Sequence, residues 1–362
     1  MRRTGNNSDI AIVVLNWNGW RDTLECLTSL TDSARQNFKI VLIDNGSTDS
    51  SLEKIRSWSR GELPVSIGPL YGKKKRMRLN LIEYDLSEIS ETSRPNQLSQ
   101  EERKSDVVLI KSRVNLGFAK GCNVGIRYAL QHNFEKILLL NNDTVVDSDC
   151  LRILSEFLDR NRTYGIVTPK IFYYDQPDKI WNCGGRLTFT GSRKYYCKDR
   201  NDDGCTQNEM MDITFITGCA LLARTDIFKR YGLLTEKFFF GEEDYEFSLR
   251  MKKNKVKMAA VLSTKVYHKV GISQNGVFDQ NALAKAFIFY LNRFVDLRLY
   301  YRNLYWKIWR VASFGYILPL LKITYGVPLN KLYQFSSLLL QYSQTHDGVG
   351  ENDFFNAKKI LD

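Results

Sequence analysis

The sequence predicts an α/β fold in which buried strands alternate with helices, followed by a helical region. Three observations carry this. Short continuous apolar runs recur at Ile10–Leu15, Lys39–Ile43, Val107–Ile110 and Lys136–Leu140, the mark of strands buried on both faces. Segments with helical spacing of Leu and Ile separate them. From about Leu283 to Gln344 strand-like runs give way to helical patterns dense in Tyr, Trp, Leu, Lys and Arg.

Taken in order, Ile10-Ala-Ile-Val-Val-Leu15 reads as a first strand that stops at Asn16-Trp17-Asn18-Gly19. Leu24, Leu27 and Leu30 give the next segment, Asp22 to Leu30, a helical stripe. Lys39 to Ile43 is a second strand ending at Asp44-Asn45-Gly46-Ser47-Thr48-Asp49, with a helix expected through Leu52 and Ile55. Residues 59–106 break the rhythm and read as an insertion, partly mobile, with a short strand near Leu79–Ile82. Val107 to Ile110 resumes the pattern, and Asn115 to Asn123 leads into a helix reaching about His132. Lys136 to Leu140 ends at Asn141-Asn142-Asp143; a helix over Ser148–Arg160 and a strand near Gly165 follow. Thr214 to Ala223 reads as one strand with Gly218 inside it, Glu242-Glu243-Asp244 as an acidic helix start, and Val256–Val261 as a strand followed by His268. The domain division is therefore 8–275, with the insertion at about 59–106, and a helical region at 280–362.

The formal net charge of +12 favours anionic partners: phosphate-bearing ligands, anionic lipid or nucleic acid. Basic residues cluster at Lys73–Arg78 and through Arg293, Arg298, Arg302, Lys307 and Arg310. No helix-turn-helix, zinc-finger or RNP-type signature accompanies the charge, which argues against nucleic acid. The seven cysteines are odd in number and form no C-x-x-C pair, so reduced thiols and a cytoplasmic setting are expected. The apolar stretch Val311–Leu321 is too short to span a bilayer, and Pro319 interrupts it.

Ligands of open α/β sheets bind beyond the carboxyl ends of the strands, so polar clusters at those ends matter most. Asp44 has two readings: an acceptor for a base or ribose, or one side of a strand-to-helix turn with Ser47 or Asp49 as cap. Asn141-Asn142-Asp143 is an open, oxygen-rich set suited to Mg2+ or Mn2+ when a diphosphate supplies further ligands, or else a polar turn. Glu242, Glu243 and Asp244 complement a helix dipole, or hold one carboxylate ready to take a proton from a hydroxyl. His268 is a packed histidine or a member of a metal–diphosphate site.

These segments together resemble family 2 glycosyltransferases of the GT-A fold, especially the rhamnosyltransferase-like branch. The matching pieces are Ile-Val-Val-Leu-Asn-Trp-Asn-Gly, Val-Leu-Ile-Asp-Asn-Gly-Ser-Thr-Asp, Asn-Leu-Gly-Phe-Ala-Lys-Gly-Cys-Asn, Leu-Leu-Leu-Asn-Asn-Asp-Thr, Thr-Gly-Cys-Ala-Leu-Leu-Ala-Arg and Glu-Asp-Tyr-Glu-Phe-Ser-Leu-Arg, in family order across Ile10–His268. The resemblance implies a mixed, mainly parallel sheet and an inverting transfer from a nucleoside-diphosphate sugar (UDP-, dTDP- or GDP-linked). Asp244 is then the general base, and Asp143 and His268 the ligands of a divalent cation. Asn16, Asp44, Asn115, Gly117, Lys120, Asn123, Asn142, Gly218 and Arg250 fall to donor binding. Asn141 stands where the strict D-x-D form has Asp. The acceptor implied is a lipid-linked or polysaccharide glycan. The C-terminal helices either pack on the catalytic domain or lie in an anionic membrane interface on the cytoplasmic face, as a peripheral protein would. The competing readings are a catalytically silent nucleotide-sugar module, a nucleic-acid binder and a sugar nucleotidyltransferase. The last usually carries a Gly-rich loop after its first strand, which this chain lacks.

Overall fold

The computed structural model describes residues 9–31, 37–68, 74–89, 98–202, 209–239, 241–270 and 282–361. Its centre is one sheet of eleven described strands. Strand β1 (Ile10–Asn16) is followed by helix α1 (Trp20–Thr31), and β2 (Phe38–Asn45) by α2 (Ser51–Ser59). Within the insertion, β3 (Val65–Ser66) and β4 (Lys74–Lys75) form a small hairpin, and β5 (Leu81–Asp85) and α3 (Gln100–Lys104) follow. Next come β6 (Val107–Ser112), α4 (Phe118–Gln131), β7 (Lys136–Asn141), β8 (Thr144–Val146), α5 (Cys150–Arg160) and β9 (Tyr164–Tyr173). The chain then makes β10 (Ile180–Asn182), a hairpin of β11 (Gly185–Leu187) and β12 (Arg193–Tyr195), β13 (Met210–Ile213) and β14 (Ala220–Arg224). Helices α6 (Thr225–Tyr231) and α7 (Glu243–Lys253) lead to the long strand β15 (Lys257–His268).

The strand order is β13-β15-β9-β14-β7-β1-β2-β6-β5, with β10 beside β9 and β8 beside β15. From β5 to β7 every pairing is parallel. Strand β14 runs antiparallel to both β7 and β9, which makes the sheet mixed. The alternation of side chains explains the two apolar layers. Ala11, Val13, Val41 and Ile43 face one way, against Ala119, Cys122 and Ile126 of α4. Ile10, Ile12, Val14, Ile40 and Leu42 face the other, against Leu24, Leu27, Ile55 and Leu154. Both faces are covered, so the strands read as unbroken apolar runs. Truncating a fully buried residue such as Ile12 to Ala costs about 2–5 kcal/mol.

Helices α8 (Ala282–Tyr300), α9 (Asn303–Ala312), α10 (Phe314–Tyr325), α11 (Leu329–Thr345) and α12 (Glu351–Leu361) build a third apolar core. Phe287, Leu291, Phe294, Trp306, Phe335 and Leu339 fill it, and Phe215, Phe238 and Tyr245 join it from the sheet side. The helical region is thus packed on the α/β unit directly beside α7. Among the described residues no helix is long and apolar enough to cross a membrane.

Several expectations need correction. Thr214–Ala223 is not one strand: β13 ends at Ile213, Thr214 and Phe215 leave the ladder to bond Gly185, and β14 starts only at Ala220. The short strand expected near Leu79–Ile82 is present as β5, shifted to Leu81–Asp85, and it adds a parallel edge to the sheet with Leu81 opposite Val107. The rest of that segment includes residues 69–73 and 90–97, outside the described residues, so Lys73 of the basic cluster lies outside them too. Strand β15 continues to His268 rather than stopping at Val261. The apolar run at Val311–Leu321 breaks at Ser313, between α9 and α10, while Pro319 sits inside α10. Five described cysteines are free and buried, whereas Cys197 is disulfide-bonded, so uniformly reduced thiols do not hold.

Candidate active site

The site forms where the parallel strands end. Pairing sets Asn16 opposite Asp44 and Leu15 opposite Asn141, so three polar strand ends meet on one edge. Asp44, only 1% exposed, accepts hydrogen bonds from Asn16 Nδ2 at 2.8 Å and from Ser47 Oγ at 2.6 Å. Asn16 Oδ1 accepts from Thr23 Oγ1 at 2.7 Å, and Thr23 Oγ1 accepts from Asn142 Nδ2 at 2.9 Å. An unbroken chain therefore joins Asp44 to the Asn141–Asp143 turn. Thr23 escaped the sequence reading. Its signal is a hydroxyl four residues before Leu27 and seven before Leu30, on the face of the helix that turns inward, where an unpaired polar group would be costly.

The next loop is braced similarly. Asn45 Nδ2 donates to Asn115 Oδ1 at 2.9 Å, and the Gly117 N–H donates to the same oxygen at 2.9 Å. Gly117 has φ +80°, and a Cβ there would lie 2.7 Å from the Phe239 carbonyl oxygen, so only glycine fits. Lys120 is exposed in the first turn of α4. Asn123 and Arg250 are engaged elsewhere. Asn123 bonds the backbone of Leu234 in both directions and Glu236. Arg250 donates to the carbonyls of Tyr231 and Leu233 and to Glu246. Both pin the segment before the acidic turn, and the structure does not bring their polar atoms to the strand ends.

Strand β8 runs antiparallel to the end of β15, with Thr144 opposite His268. This register brings His268 Nε2 to 3.2 Å from Asp143 Oδ1. Burial disfavours the charged imidazole, but Cys219 and Asp143 outweigh it and push the His268 pKa up to about 10. The Trp181 ring lies 4.7 Å from the imidazole, centroid to centroid, and fixes its plane. Asp143 Oδ1 is buried and faces the imidazole. A buried carboxylate oxygen paired with an imidazole is, once the imidazole gives up its proton, a donor pair suited to a divalent cation. Among the described residues no group of three or more His, Cys, Asp or Glu surrounds such an ion. The donor set therefore fits a cation that a ligand's own diphosphate oxygens would complete.

The acidic turn lies across from these strand ends. Asp244 Oδ2 accepts from the Gly218 N–H at 3.4 Å, placing it next to the 214–219 turn that also carries Cys219. Arg193, on the β12 side of the hairpin, sits 3.5 Å from Asp244 and 3.4 Å from Glu242. Arg293 of α8 donates through Nε to Glu242 Oε2 at 2.6 Å and through Nη1 to the Gly191 carbonyl at 2.6 Å. Its guanidinium also lies 3.5 Å above the Tyr245 ring. Glu242 is held at φ +67°. Burial raises the Asp244 pKa, and the Arg193 charge opposes that rise. Burial and the adjacent Asp244 likewise push Glu243 upward. A carboxylate poised above its usual range, partly exposed and restrained by a cation, is suited to receiving a proton. Sequence reasoning missed Arg193 and saw Arg293 only as part of a basic cluster, since neither is near the acidic turn in the chain.

Comparisons with known proteins give the family and the fold. The profile of the family described as "Glycosyltransferase like family 2" matches residues 96–285, and that of "Glycosyl transferase family 2" matches residues 11–69. The chain is 23% identical over 196 residues to a low-salt glycan biosynthesis hexosyltransferase of Haloferax volcanii, covering 51% of this chain and 59% of that protein. It is 26% identical over 157 residues to a dTDP-rhamnosyl transferase of Shigella flexneri, covering 43% of this chain and 50% of that protein. The chain thus spans between half and three-fifths of these relatives. Among solved structures, a mannosyltransferase from Pyrobaculum calidifontis in complex with GDP-Man and Mn2+ superimposes with a TM-score of 0.51 at 10% identity, covering 98% of this chain and 79% of that one. That likeness concerns the fold alone, which is the GT-A fold. The family profile covers more than half of the chain in the segment holding Asp143, Asp244 and His268, and the protein belongs to the family 2 glycosyltransferases.

Proposed function

We propose that the protein transfers a sugar from a nucleoside-diphosphate sugar to an acceptor hydroxyl in one inverting step. What supports this reading is that one turn reaches both groups: the Gly218 N–H meets Asp244 at the start of α7, and the adjoining Cys219 interacts with the Asp143–His268 pair. Asp44 and Asn16 receive the base and ribose, and Asn142, Asn115, Gly117, Lys120 and Gly218 line the path of the diphosphate. Asp143 and His268 would hold Mg2+ or Mn2+, whose charge offsets that of the departing diphosphate.

Asp244 takes the proton of the acceptor hydroxyl. The oxygen attacks the anomeric carbon as the bond to the diphosphate oxygen breaks, and the nucleoside diphosphate leaves with that electron pair. Attack opposite the leaving group inverts the anomeric centre. Arg193 keeps Asp244 available as a base by opposing the effect of burial. One relative is named for glycan biosynthesis and the other for a dTDP-rhamnosyl donor, which supports a nucleotide sugar as donor and a glycan as acceptor. The donor classes in this reading are dTDP-, UDP- or GDP-sugars, and the acceptor is a lipid-linked or polysaccharide glycan. In this reading residues 8–275 are the catalytic domain. Residues 280–362 present the acceptor, with the protein peripheral on the cytoplasmic face of a membrane.

The test is a panel of nucleotide sugars with Mn2+ or Mg2+, scored by release of nucleoside diphosphate and by NMR of the product anomer. Release confined to one donor, lost in Asp244→Asn while donor binding persists, is expected. Transfer unchanged in Asp244→Asn would refute the base assignment.

A further inference from the structure

We propose that an anionic lipid bilayer docks on the outward faces of α9 and α10 together with the tip of the β11–β12 hairpin. The inference rests on the reading that the helical region presents the acceptor, and it names the surface and the partner. Its first support is charge. Between Asp296 and Asp347 the chain contains no Asp or Glu, yet it has Arg298, Arg302, Lys307, Arg310, Lys322 and Lys331. Arg302, Lys307 and Lys322 are exposed. Exposed cations in a fifty-residue stretch that has no acidic side chain complement a negatively charged headgroup layer.

The second support is apolar. Helix α9 buries Trp306 against α8, Trp309 against α8 and the hairpin, and Arg310 against α11. It turns Leu304 (72% exposed), Ile308 and Val311 outward, at spacings of four and three. Helix α10, one residue further on, repeats the pattern with Tyr316, Leu320 and Ile323 (84% exposed). These helices thus carry apolar residues on two faces, only one of which meets protein. Outward rows of aliphatic and aromatic side chains interleaved with lysine match the water–lipid boundary.

The third support joins this surface to the chemistry. Phe189, 83% exposed, caps the hairpin. Its carbonyl accepts from Tyr301 Oη at 2.9 Å and from Tyr305 Oη at 3.2 Å, and the Thr190 carbonyl accepts from Trp309 Nε1 at 2.8 Å. The hairpin tip is therefore clasped to the α9 surface. Four residues along the same hairpin stands Arg193, which touches Asp244. Even a fully extended backbone puts Phe189 and Arg193 within about 14 Å of one another. A bilayer seated on Phe189 and α9 holds a headgroup-linked hydroxyl within a short reach of Asp244.

The test uses the full chain and extruded vesicles of phosphatidylcholine, with or without phosphatidylglycerol, in co-sedimentation. Binding to the anionic vesicles at low salt, weakened by high salt and near zero on phosphatidylcholine alone, is expected. Phe189→Ser combined with Ile308→Ser should weaken partitioning at least about tenfold. Lys307→Glu combined with Lys322→Glu should weaken it by roughly the same factor. Unchanged melting temperatures show that these outward substitutions leave the fold intact. A Phe189→Trp variant adds a direct reading, since its emission should shift to the blue on anionic vesicles only. The proposal is overturned by absence of binding at low salt, by equal binding to both vesicle types, or by variants that bind as wild type. Self-association through this face, seen as a dimer that the same substitutions dissolve, would also overturn it. The assay needs no sugar donor, so a failure of the transfer reading shows up separately, as lipid binding without turnover.

Discussion

The two halves of the candidate site are held in place by different physics. The donor side, Asp44–Asn16–Thr23–Asn142, is a chain of short hydrogen bonds between neighbouring strand ends and the helix that follows the first of them. The acidic side, Glu242–Asp244, is held by two guanidinium groups that arrive from a hairpin and from the C-terminal helices. The first arrangement comes from adjacent elements of the sheet, whereas the second exists only when three remote segments pack together. Geometry near the donor is thus a property of the α/β unit. Geometry near the base depends on the helical region.

Four measurements test that contrast. The largest effect belongs to Asp244→Asn, which should lower kcat on the order of 10²- to 10⁴-fold while leaving donor affinity near wild type. Loss of donor binding instead would move Asp244 to the donor side.

Arg293→Gln comes next. It removes charge-assisted hydrogen bonds of about 1.5–3 kcal/mol, so transfer should fall roughly 10- to 100-fold. Asp244 is faced by Arg193, Glu242, Glu243, Tyr195 and Arg293, and Arg293 is among the charges that lower its pKa. Removing that charge raises the Asp244 pKa further, so the base form appears only at higher pH. The rising limb of the pH–rate profile should therefore move upward, and Arg293→Lys should restore the limb without the full rate. A rate loss with no movement of the limb would reduce Arg293 to a packing residue.

Thr23→Val tests the donor side. It keeps the shape but breaks the link between Asn16 and Asn142, and the KM for donor should rise about tenfold with kcat nearly unchanged. A fall in kcat alone would mean that the chain of hydrogen bonds serves the chemical step.

The smallest effect concerns Asp296 of α8, whose two carboxylate oxygens are buried without hydrogen bonds. Burial, then Glu242 and Glu246, hold its pKa well above the ordinary value, against the pull of Arg293 and Lys237. Between its unfolded and folded pKa values the native state binds more protons, so this group's contribution falls as pH rises through that window. Asp296→Asn should raise the melting temperature by a few degrees at pH 8 and by less at pH 5. An equal change at both would show that the carboxyl is not the source.

The same contrast explains what the sequence disclosed. Strands such as Ile10–Asn16 are buried on both faces, so local composition alone marks them, and the polar residues that end them fall at the sheet edge by topology. Asp44, Asn142 and Asp143 could be placed at the sheet end for that reason, whereas His268 was expected beyond a strand that in fact runs through it. Arg193 was not, because its importance comes from a hairpin folding back on α7, and no local pattern encodes that meeting. The misread Thr214–Ala223 segment has a similar cause: its apolar residues suit a strand, but Phe215 turns to the third core and takes its neighbours out of the ladder. Asn123 and Arg250 carry the family's motif positions, yet their side chains close on the 231–236 loop, a partnership between segments over a hundred residues apart in the case of Asn123.

Strand β8 has three residues, and its ladder with β15 makes the Asp143–His268 distance independent of the length of chain between them. Whatever is inserted into or removed from the loops and hairpins of that interval, the pair keeps its separation as long as the register survives. Only a change of parity inside residues 144–146 or 266–268 would turn one partner to the opposite face. The loops and hairpins between the two strands of this short ladder are therefore free to diversify in size and sequence around an Asp143–His268 pair whose separation does not change.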